Sequence, residues 1–375
     1  MLTTDRLLKI RELTRKLLEG CIIVSDSGIK LYTPDGKANY TALWTRDFAY
    51  MVEDAGELLE MEDVRLGIEY LMKGMREDGW VPDRVYKDGV AFYTAGPGNF
   101  PASPNLDNGC FLCLLADAYL TRLAPQAAMV QFLSWKDALC RAIDCLPTAQ
   151  NGLILNHAEP PHSPYGFTDT VCKTGLLCME TLLLWNAKRK LIAWLQTCDC
   201  PTDKYERDLA AMEQSFIDAF LQCDGTLRAA TECCAQTDLW AMCYAVSIGF
   251  PLPESVRLGM ADWLIAHYDG IVQAGQLRHL PAGEYWEKTF NGVPHGSYQN
   301  GAFWATPIKW LCDVLRLRDA ALATQTLKDA LDYVETYGCY ECVNGEDRRL
   351  DTYVASATAL YGAAKREQEN VKSVG

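Results

Sequence analysis

Residues 106–146, LDNGCFLCLLADAYLTRLAPQAAMVQFLSWKDALCRAIDCL, show how the chain folds. Apolar residues recur at the spacing i, i+3, i+4 over 106–122 and again over 128–146, which is the pattern of two helices. Only a short connection that contains Ala124 and Pro125 separates them. The stretch therefore predicts a helical hairpin.

The same spacing predicts twelve helices in all, over 3–20, 44–60, 62–74, 106–122, 128–146, 168–195, 203–222, 236–249, 253–268, 297–315, 318–338 and 350–367. Connections after the even-numbered helices are short. Those after the odd-numbered helices are mostly longer and rich in Gly, Pro and aromatic residues, and they span 21–43, 75–105, 147–167, 223–235, 269–296 and 339–349. Short strands fit within these connections, for instance over 21–31, but no segment alternates strongly enough for a long strand.

This alternation predicts six helical hairpins arranged in one ring. The expected fold is all-α, an (α/α)6 barrel of twelve helices with its long loops on one face. No low-complexity linker interrupts the pattern, so residues 1–375 are expected to form a single barrel domain.

Composition and charge disfavour several classes of binding partner. The chain has 375 residues and a formal net charge of −14, and an acidic surface disfavours nucleic acid and membrane surfaces as partners. No apolar run reaches the roughly 18 residues of a membrane span, and the N-terminal segment is interleaved with charge, unlike a signal peptide. The 16 cysteines are then expected to be reduced thiols in a cytoplasmic protein. The oligomeric state, a homo-oligomer included, stays open.

Polar and aromatic motifs fall almost entirely on the predicted long-loop face. Taken singly, Asp47, Asp107, Asp169 and Asp238 each occupy a position typical of a helix N-cap. Taken together, the loops supply carboxylates, Arg, amides and aromatic rings, which is how a carbohydrate pocket is built. The predicted substrate-binding residues are Trp44, Arg46, Asp47, Trp80, Asp83, Arg84, Asp107, Asp238, Trp240, Arg278, His279, Tyr285, Trp286, Tyr298, Gln299, Asn300 and Trp304.

Three of these motifs carry a family resemblance. Trp44-Thr45-Arg46-Asp47 resembles the first-loop motif of glucoamylases and exo-α-mannosidases of the six-hairpin glycosidase superfamily, which also includes trehalases. The segments 78–84, DGWVPDR, and 298–304, YQNGAFW, resemble motifs of bacterial members of that superfamily. The resemblance implies that Arg46 and Asp47 bind hydroxyl groups of a non-reducing terminal sugar.

Glycoside hydrolysis needs two carboxyl groups, one to protonate the leaving oxygen and one to activate water or attack the sugar. The resemblance implies an acid between helices five and six and a base between helices eleven and twelve. Asp169 is the only carboxyl residue within 166–170 and is the candidate acid, although glucoamylases use Glu there and trehalase-like enzymes use Asp. Glu341 is the favoured base, with Glu284 and Glu287 in reserve.

Two features bear on these candidates. At a helix N-terminus the pKa of Asp169 would fall, and burial against Tyr165 and Phe167 would have to offset that. Glu341 follows an aromatic residue and is expected to point inward, whereas 345–349, GEDRR, is interpreted as a solvated turn. The superfamily placement implies room for a water between acid and base, and hence inversion of the anomeric centre.

The predicted function is therefore an exo-acting glycoside hydrolase. The resemblance points to an α-linked glucose- or mannose-type terminal sugar, and the acidic loops argue against uronic acids. The alternative is a sugar epimerase or isomerase that uses a pair of loop histidines among His157, His162, His279 and His295, and a third option is a non-catalytic carbohydrate-binding subunit. No cofactor is expected. No metal is expected either, because the CxxC spacings at 110–113 and 339–342 arise easily in a Cys-rich chain.

Overall fold

The computed structural model describes residues 3–374, and the side chains up to residue 370. Every one of the twelve predicted helices is present, and a single extra turn, α10, follows the ninth. The helices are α1 (Thr4–Gly20), α2 (Thr45–Ala55), α3 (Met61–Lys73), α4 (Asn108–Leu120), α5 (Pro125–Asp144), α6 (Cys178–Thr197), α7 (Asp203–Phe220), α8 (Leu239–Ser247), α9 (Glu254–Ala266), α10 (Tyr268–Ile271), α11 (Ile308–Arg316), α12 (Ala320–Tyr337) and α13 (Val354–Val374).

Six of these helices form an inner ring, in the order α2, α4, α6, α8, α11 and α13, and α13 packs against α2 to close it. The outer helices α1, α3, α5, α7, α9 and α12 pack around this ring. Burial follows the layers, because α2 buries ten of its eleven residues whereas α7 buries one face, at Tyr205, Met212, Phe216 and Phe220. The predicted (α/α)6 barrel is confirmed.

Short strands fill five of the long connections, which all join an outer helix to the next inner one. They are β1 (Ile22–Val24), β2 (Lys30–Tyr32), β3 (Ala42–Trp44), β4 (Arg84–Tyr86), β5 (Ala91–Phe92), β6 (Leu155–Asn156), β7 (Gly175–Leu176), β8 (Val272–Gln273), β9 (Gln276–Arg278), β10 (Phe303–Trp304), β11 (Tyr340–Asn344) and β12 (Asp347–Asp351). β1–β2 and β6–β7 are antiparallel pairs. β3-β4-β5 form a three-stranded sheet, and β12-β11-β10-β9-β8 form a five-stranded sheet. These sheets tie the connections together over the N-terminal ends of the inner helices.

Two predicted helix starts are wrong by about ten residues. The sixth helix begins at Cys178 rather than 168, because Gly175 takes a φ of +82° and its strand β7 pairs with β6. The tenth predicted helix, which is α11 in the structure, begins at Ile308 rather than 297. Tyr298 and Gly301 both have positive φ, and β10 joins the five-stranded sheet. Asp169 and Gln299 therefore lie in loops instead of helices.

None of the described helices is long and apolar enough to cross a membrane.

Candidate active site

A cavity of about 430 Å³ opens at the long-loop end of the barrel. Five of the six long connections contribute to its wall. The lining residues are Pro34, Tyr40, Trp44, Arg46, Asp47, Ala95, Phe100, Gly166, Phe167, Asp169, Thr170, Asn291, Gly292, Val293, Pro294, Ser297, Tyr298, Glu341, Arg349 and Tyr353. Of the predicted site residues, the structure brings together Trp44, Arg46, Asp47, Asp169, Tyr298 and Glu341 in this wall.

Asp169 follows a single 3-10 turn over Gly166–Thr168 and is almost completely buried. Gln299 Nε2 donates a hydrogen bond to its Oδ1 at 2.9 Å. Burial raises the pKa of Asp169 from 3.8 to about 7, against the opposing effects of the Arg46 charge and the Gln299 hydrogen bond. Since α6 begins nine residues later, no helix N-terminus lowers this pKa.

Glu341 lies on β11 and its side chain is also buried. Tyr40 Oη donates to Oε1 at 2.6 Å, and Arg349 Nε donates to Oε2 at 3.1 Å. Burial raises the pKa of Glu341 from 4.5 to about 7, although both donors favour the carboxylate. The cavity thus holds two carboxyl groups that titrate near neutral pH.

A third carboxyl group in the wall belongs to Asp47, in the first turn of α2. Tyr353 Oη donates to its Oδ1 at 2.7 Å, and burial raises its pKa from 3.8 to about 6. Asp47 makes no N-terminal cap, since Trp44 occupies that position without a side-chain bond. The indole Nε1 of Trp44 is buried and has no hydrogen-bond partner among the described residues.

Arg46 lines the cavity, but its charge is paired behind the wall. Its Nη2 donates to Asp83 Oδ1 at 2.6 Å, and its Nε donates to Asp107 Oδ2 at 3.1 Å. Asp83 also accepts from Arg84 Nη1 at 2.6 Å. Because these buried carboxylates surround the guanidinium, the charges compensate one another, as burial requires.

Gly166 makes this packing possible. Its backbone N–H donates to Asp107 Oδ2 at 2.7 Å, and a Cβ at this position would lie 1.7 Å from Arg46 Nε. The glycine therefore lets the loop that carries Asp169 lie directly on the Arg46 side chain.

Many residues predicted to bind substrate lie behind the cavity wall instead. Trp240 and Trp304 pack on Phe167 with ring centroids 5.7 and 5.5 Å away, and His279 stacks on Trp240. Asp238 caps α8 by accepting from Ala241 N. The predicted residues outside the wall are Trp80, Asp83, Arg84, Asp107, Asp238, Trp240, Arg278, His279, Tyr285, Trp286, Gln299, Asn300 and Trp304, together with the exposed reserve acids Glu284 and Glu287.

Several of these residues make specific contacts with the loops. Arg278 Nη2 donates to Glu284 O at 2.9 Å, and Asn300 Oδ1 accepts from Trp286 N at 2.7 Å. Trp80 stacks on His162. Their polar and aromatic character thus serves the loop framework.

None of the four loop histidines is among the lining residues. His162 Nδ1 lies 2.6 Å from Pro104 O, and His295 stacks on Tyr285. The arrangement that an epimerase would need, a histidine pair in the cavity, is therefore missing from the described wall. Within residues 3–374, no group of three or more His, Cys, Asp or Glu side chains is placed to hold a metal ion.

Sequence reasoning missed three wall residues that act on the carboxyls: Tyr40, Arg349 and Tyr353. Arg349 belongs to the segment interpreted as a solvated turn, but β12 pairs with β11 so that Arg349 lies opposite Cys342, next to Glu341. The two-residue loop Gly345-Glu346 between the strands, with Gly345 at positive φ, is the hairpin signal that could have placed it.

No protein-family model and no curated protein matches the sequence. Solved structures with the same fold include an uncharacterized conserved protein from Thermus thermophilus, at a TM-score of 0.69 and 15% identity over 94% of this chain and 99% of that one. The GH63 mannosylglycerate hydrolase of the same organism, in complex with glucose, gives a TM-score of 0.68, 15% identity and the same coverage. A rhamnosidase from Klebsiella oxytoca with rhamnose bound gives 0.68 and 14%, over 99% of this chain and 65% of the longer enzyme. The chain therefore shares the fold of these solved structures.

Proposed function

We propose that this protein is an exo-acting glycoside hydrolase that inverts the anomeric centre, with Asp169 as the general acid and Glu341 as the general base. The observation that carries the proposal is the pair of buried carboxyls in one cavity, each with its pKa raised to about 7. A general acid works best when its pKa lies near the working pH, because it is then still protonated and yet gives up its proton easily.

The hydrogen-bond partners distinguish the two roles. Asp169 accepts one bond from a neutral amide and keeps Oδ2 free of any bond from the described residues. Glu341 accepts from a phenol and from a guanidinium, and both donors stabilise its anion. At the same pH, Asp169 is therefore better suited to hold a proton and Glu341 to take one.

The reaction would proceed in one displacement. Asp169 gives its proton to the glycosidic oxygen while the bond from that oxygen to C1 breaks. A water attacks C1 from the opposite face, and Glu341 takes one of its protons, so that the new hydroxyl has the inverted configuration. Exchange with solvent then returns a proton to Asp169 and removes one from Glu341.

The wall suits one terminal sugar. The volume of the cavity lies near the lower end of the range of about 300–1,000 Å³ that is typical of small-molecule pockets. Asp47 offers a carboxylate acceptor for a sugar hydroxyl. Among the structural neighbours, the mannosylglycerate hydrolase has glucose bound and the rhamnosidase has rhamnose bound. Both ligands are hexose-type sugars, which supports a glucose- or mannose-type terminal residue here.

The test is hydrolysis of aryl glycosides and glycosyl fluorides of glucose, mannose and rhamnose. Asp169→Asn should abolish release of a poor phenol leaving group but largely spare a fluoride, which needs little protonation. Glu341→Gln should lose both activities, because the water is needed in either case. Proton NMR of the first product should show the inverted anomer. A retained anomer would make the second carboxylate a nucleophile, and interconversion of free sugars without hydrolysis would favour the epimerase instead.

A further inference from the structure

We infer that Gln299 is a positioning residue that fixes which oxygen of Asp169 carries the catalytic proton. The inference rests on the proposed function, since it gives Asp169 the role of acid. Gln299 is completely buried and does not line the cavity, so it acts on the substrate only through the lining residues that it bonds, Gly166, Asp169 and Thr170.

The contacts of Gln299 determine the orientation of its amide. Its Oε1 accepts from Thr170 N at 2.9 Å and from Thr170 Oγ1 at 2.6 Å. A backbone N–H can only donate, so the atom that faces it must be the carbonyl oxygen and not the amide nitrogen. The orientation of Gln299 is therefore set by Thr170.

Because Oε1 of Gln299 faces Thr170, the position of the amide nitrogen Nε2 is fixed as well. Nε2 donates to Gly166 O at 3.0 Å and to Asp169 Oδ1 at 2.9 Å, which uses both of its hydrogens. The four groups that it bonds belong to three residues of the short loop 166–170. Gln299 thus clamps the loop that carries the acid at three points.

This clamp has a chemical consequence for Asp169. Oδ1 faces an N–H whether the carboxyl is charged or neutral, and therefore acts as the acceptor oxygen in both states. The proton of the neutral acid then belongs on Oδ2, which accepts no hydrogen bond from the described residues and is left to face the cavity. The proton is presented to the substrate without rotation of the carboxyl group.

Other charged groups also act on Asp169 and must be held constant in a test. Arg46, Asp83 and Asp107 face it from behind the loop, and Tyr298 lies beside it. None of them is bonded to the Gln299 side chain, so a change at position 299 leaves them in place.

Two variants separate positioning from mere packing. In Gln299→Glu, Thr170 still has a carboxylate oxygen to bond, but the second oxygen faces Asp169 Oδ1, and a proton must be shared between the two carboxyls. In Gln299→Met, the shape is kept and the donor is lost. We expect the first variant to lower kcat/KM on an aryl glycoside with a poor leaving group by about 100-fold, the lower end of general-acid effects. We expect hydrolysis of the glycosyl fluoride to fall by less than about fivefold.

The pH profile and a double variant give independent readouts. Gln299→Glu should move the alkaline limb of kcat/KM to higher pH, since a neighbouring carboxylate disfavours ionisation of Asp169. In an Asp169→Asn background, Gln299→Met should cause no more loss on the fluoride than it causes alone, because only its bonds to Gly166 and Thr170 can then act on the reaction. Equal losses on both substrates with unmoved pH limbs would overturn the inference and leave Gln299 a packing residue.

A measurement without substrate distinguishes failure of this inference from failure of the proposed function. Carbon-13 NMR of the Asp169 carboxyl reports its titration directly in the wild-type protein and in Gln299→Met. Loss of the amide donor should raise the midpoint, since the Gln299 bond lowers the pKa of Asp169. An unchanged midpoint would overturn the positioning role even if the protein is a glycosidase. A raised midpoint in a protein that hydrolyses none of the sugars would support the contact but refute the proposed reaction.

Discussion

Replacing Asp169 with Asn should make the protein more stable at neutral and alkaline pH, because the fold disfavours the charged carboxyl. Asn has the same shape, and its Oδ1 can still accept from Gln299 Nε2. The substitution therefore removes the charge and leaves the contacts. A catalytic group whose removal stabilises the fold is the expected signature of a site built at the expense of stability.

The magnitude follows from the titration. The pKa of Asp169 rises from 3.8, the value of an unperturbed Asp side chain, to about 7 in the folded protein. One unit of pKa shift corresponds to 1.36 kcal/mol, so ionisation of Asp169 lowers the free energy of unfolding by about 4 kcal/mol. The pKa of Asp169 is higher in the folded than in the unfolded chain. The wild-type protein therefore keeps this part of its free energy of unfolding below about pH 4 and loses it progressively as the pH rises to about 7. The Asn variant does not lose it.

Thermal unfolding of the two proteins at several pH values is the assay. An unfolding entropy of about 2.1 cal/mol/K per residue gives about 0.8 kcal/mol/K for 375 residues. The gap in Tm between variant and wild type should therefore widen by about 5 °C between pH 4 and pH 7.5 and then stay constant. Glu346→Gln, at an exposed position in the β11–β12 hairpin, controls for the change in net charge. A gap that does not change with pH would refute the proposed burial effect on Asp169.

Three further predictions follow from the same contacts. Arg349→Gln should raise the pKa of Glu341 and move the acidic limb of kcat/KM to higher pH, so an unmoved limb in the pH–rate profile would contradict the ion pair. Asp47→Ala should raise KM and lower kcat together, with a loss of about 10- to 100-fold in kcat/KM if it holds a sugar hydroxyl, and wild-type kinetics would remove it from the pocket. Gly166→Ala should destabilise the fold by about 1–3 kcal/mol in urea unfolding, because its methyl group overlaps the guanidinium beneath it. Gly259→Ala in the outer helix α9, where nothing lies within 4 Å, should instead stabilise by up to about 1 kcal/mol, and equal effects of the two would contradict the close approach.

The helices could be predicted because their evidence is local. Most helices repeat their apolar spacing over three or more turns, and the length of the connections alternates regularly along the chain. The two misplaced helix starts lie where distant segments compete for the backbone. β7 pairs with β6 from the other end of the same connection, and β10 pairs with strands on both sides, so neither boundary could be found from its own neighbourhood.

Some residues of the site could also be predicted from the sequence, and others could not. Asp169 and Glu341 could be proposed because the family resemblance points to two of the long connections, and each residue is the carboxyl residue in an aromatic segment of one of them. The bond from Tyr40 to Glu341 could not be proposed, because these residues are 301 positions apart and meet only when the ring closes. The many Trp, Arg and Asp residues behind the wall look the same in sequence as residues that touch a ligand. Burial of a polar side chain against a loop requires the same hydrogen-bonding groups as recognition of a sugar.

The separation of these partners explains how one small cavity can hold two carboxyls of similar pKa in different roles. After burial, the largest influences on Asp169 are Arg46 and Gln299, on the side of α2 and the 297–300 loop. The largest influences on Glu341 are Tyr40 and Arg349, with the Asp47 charge opposing them. Because different groups tune the two carboxyls, a substrate that neutralises or displaces one set need not shift the other. Binding of a sugar hydroxyl to Asp47 would weaken the effect of its charge on Glu341 and favour the ionised base. Occupation of the pocket would in this way prepare the base for water while Asp169 keeps its proton.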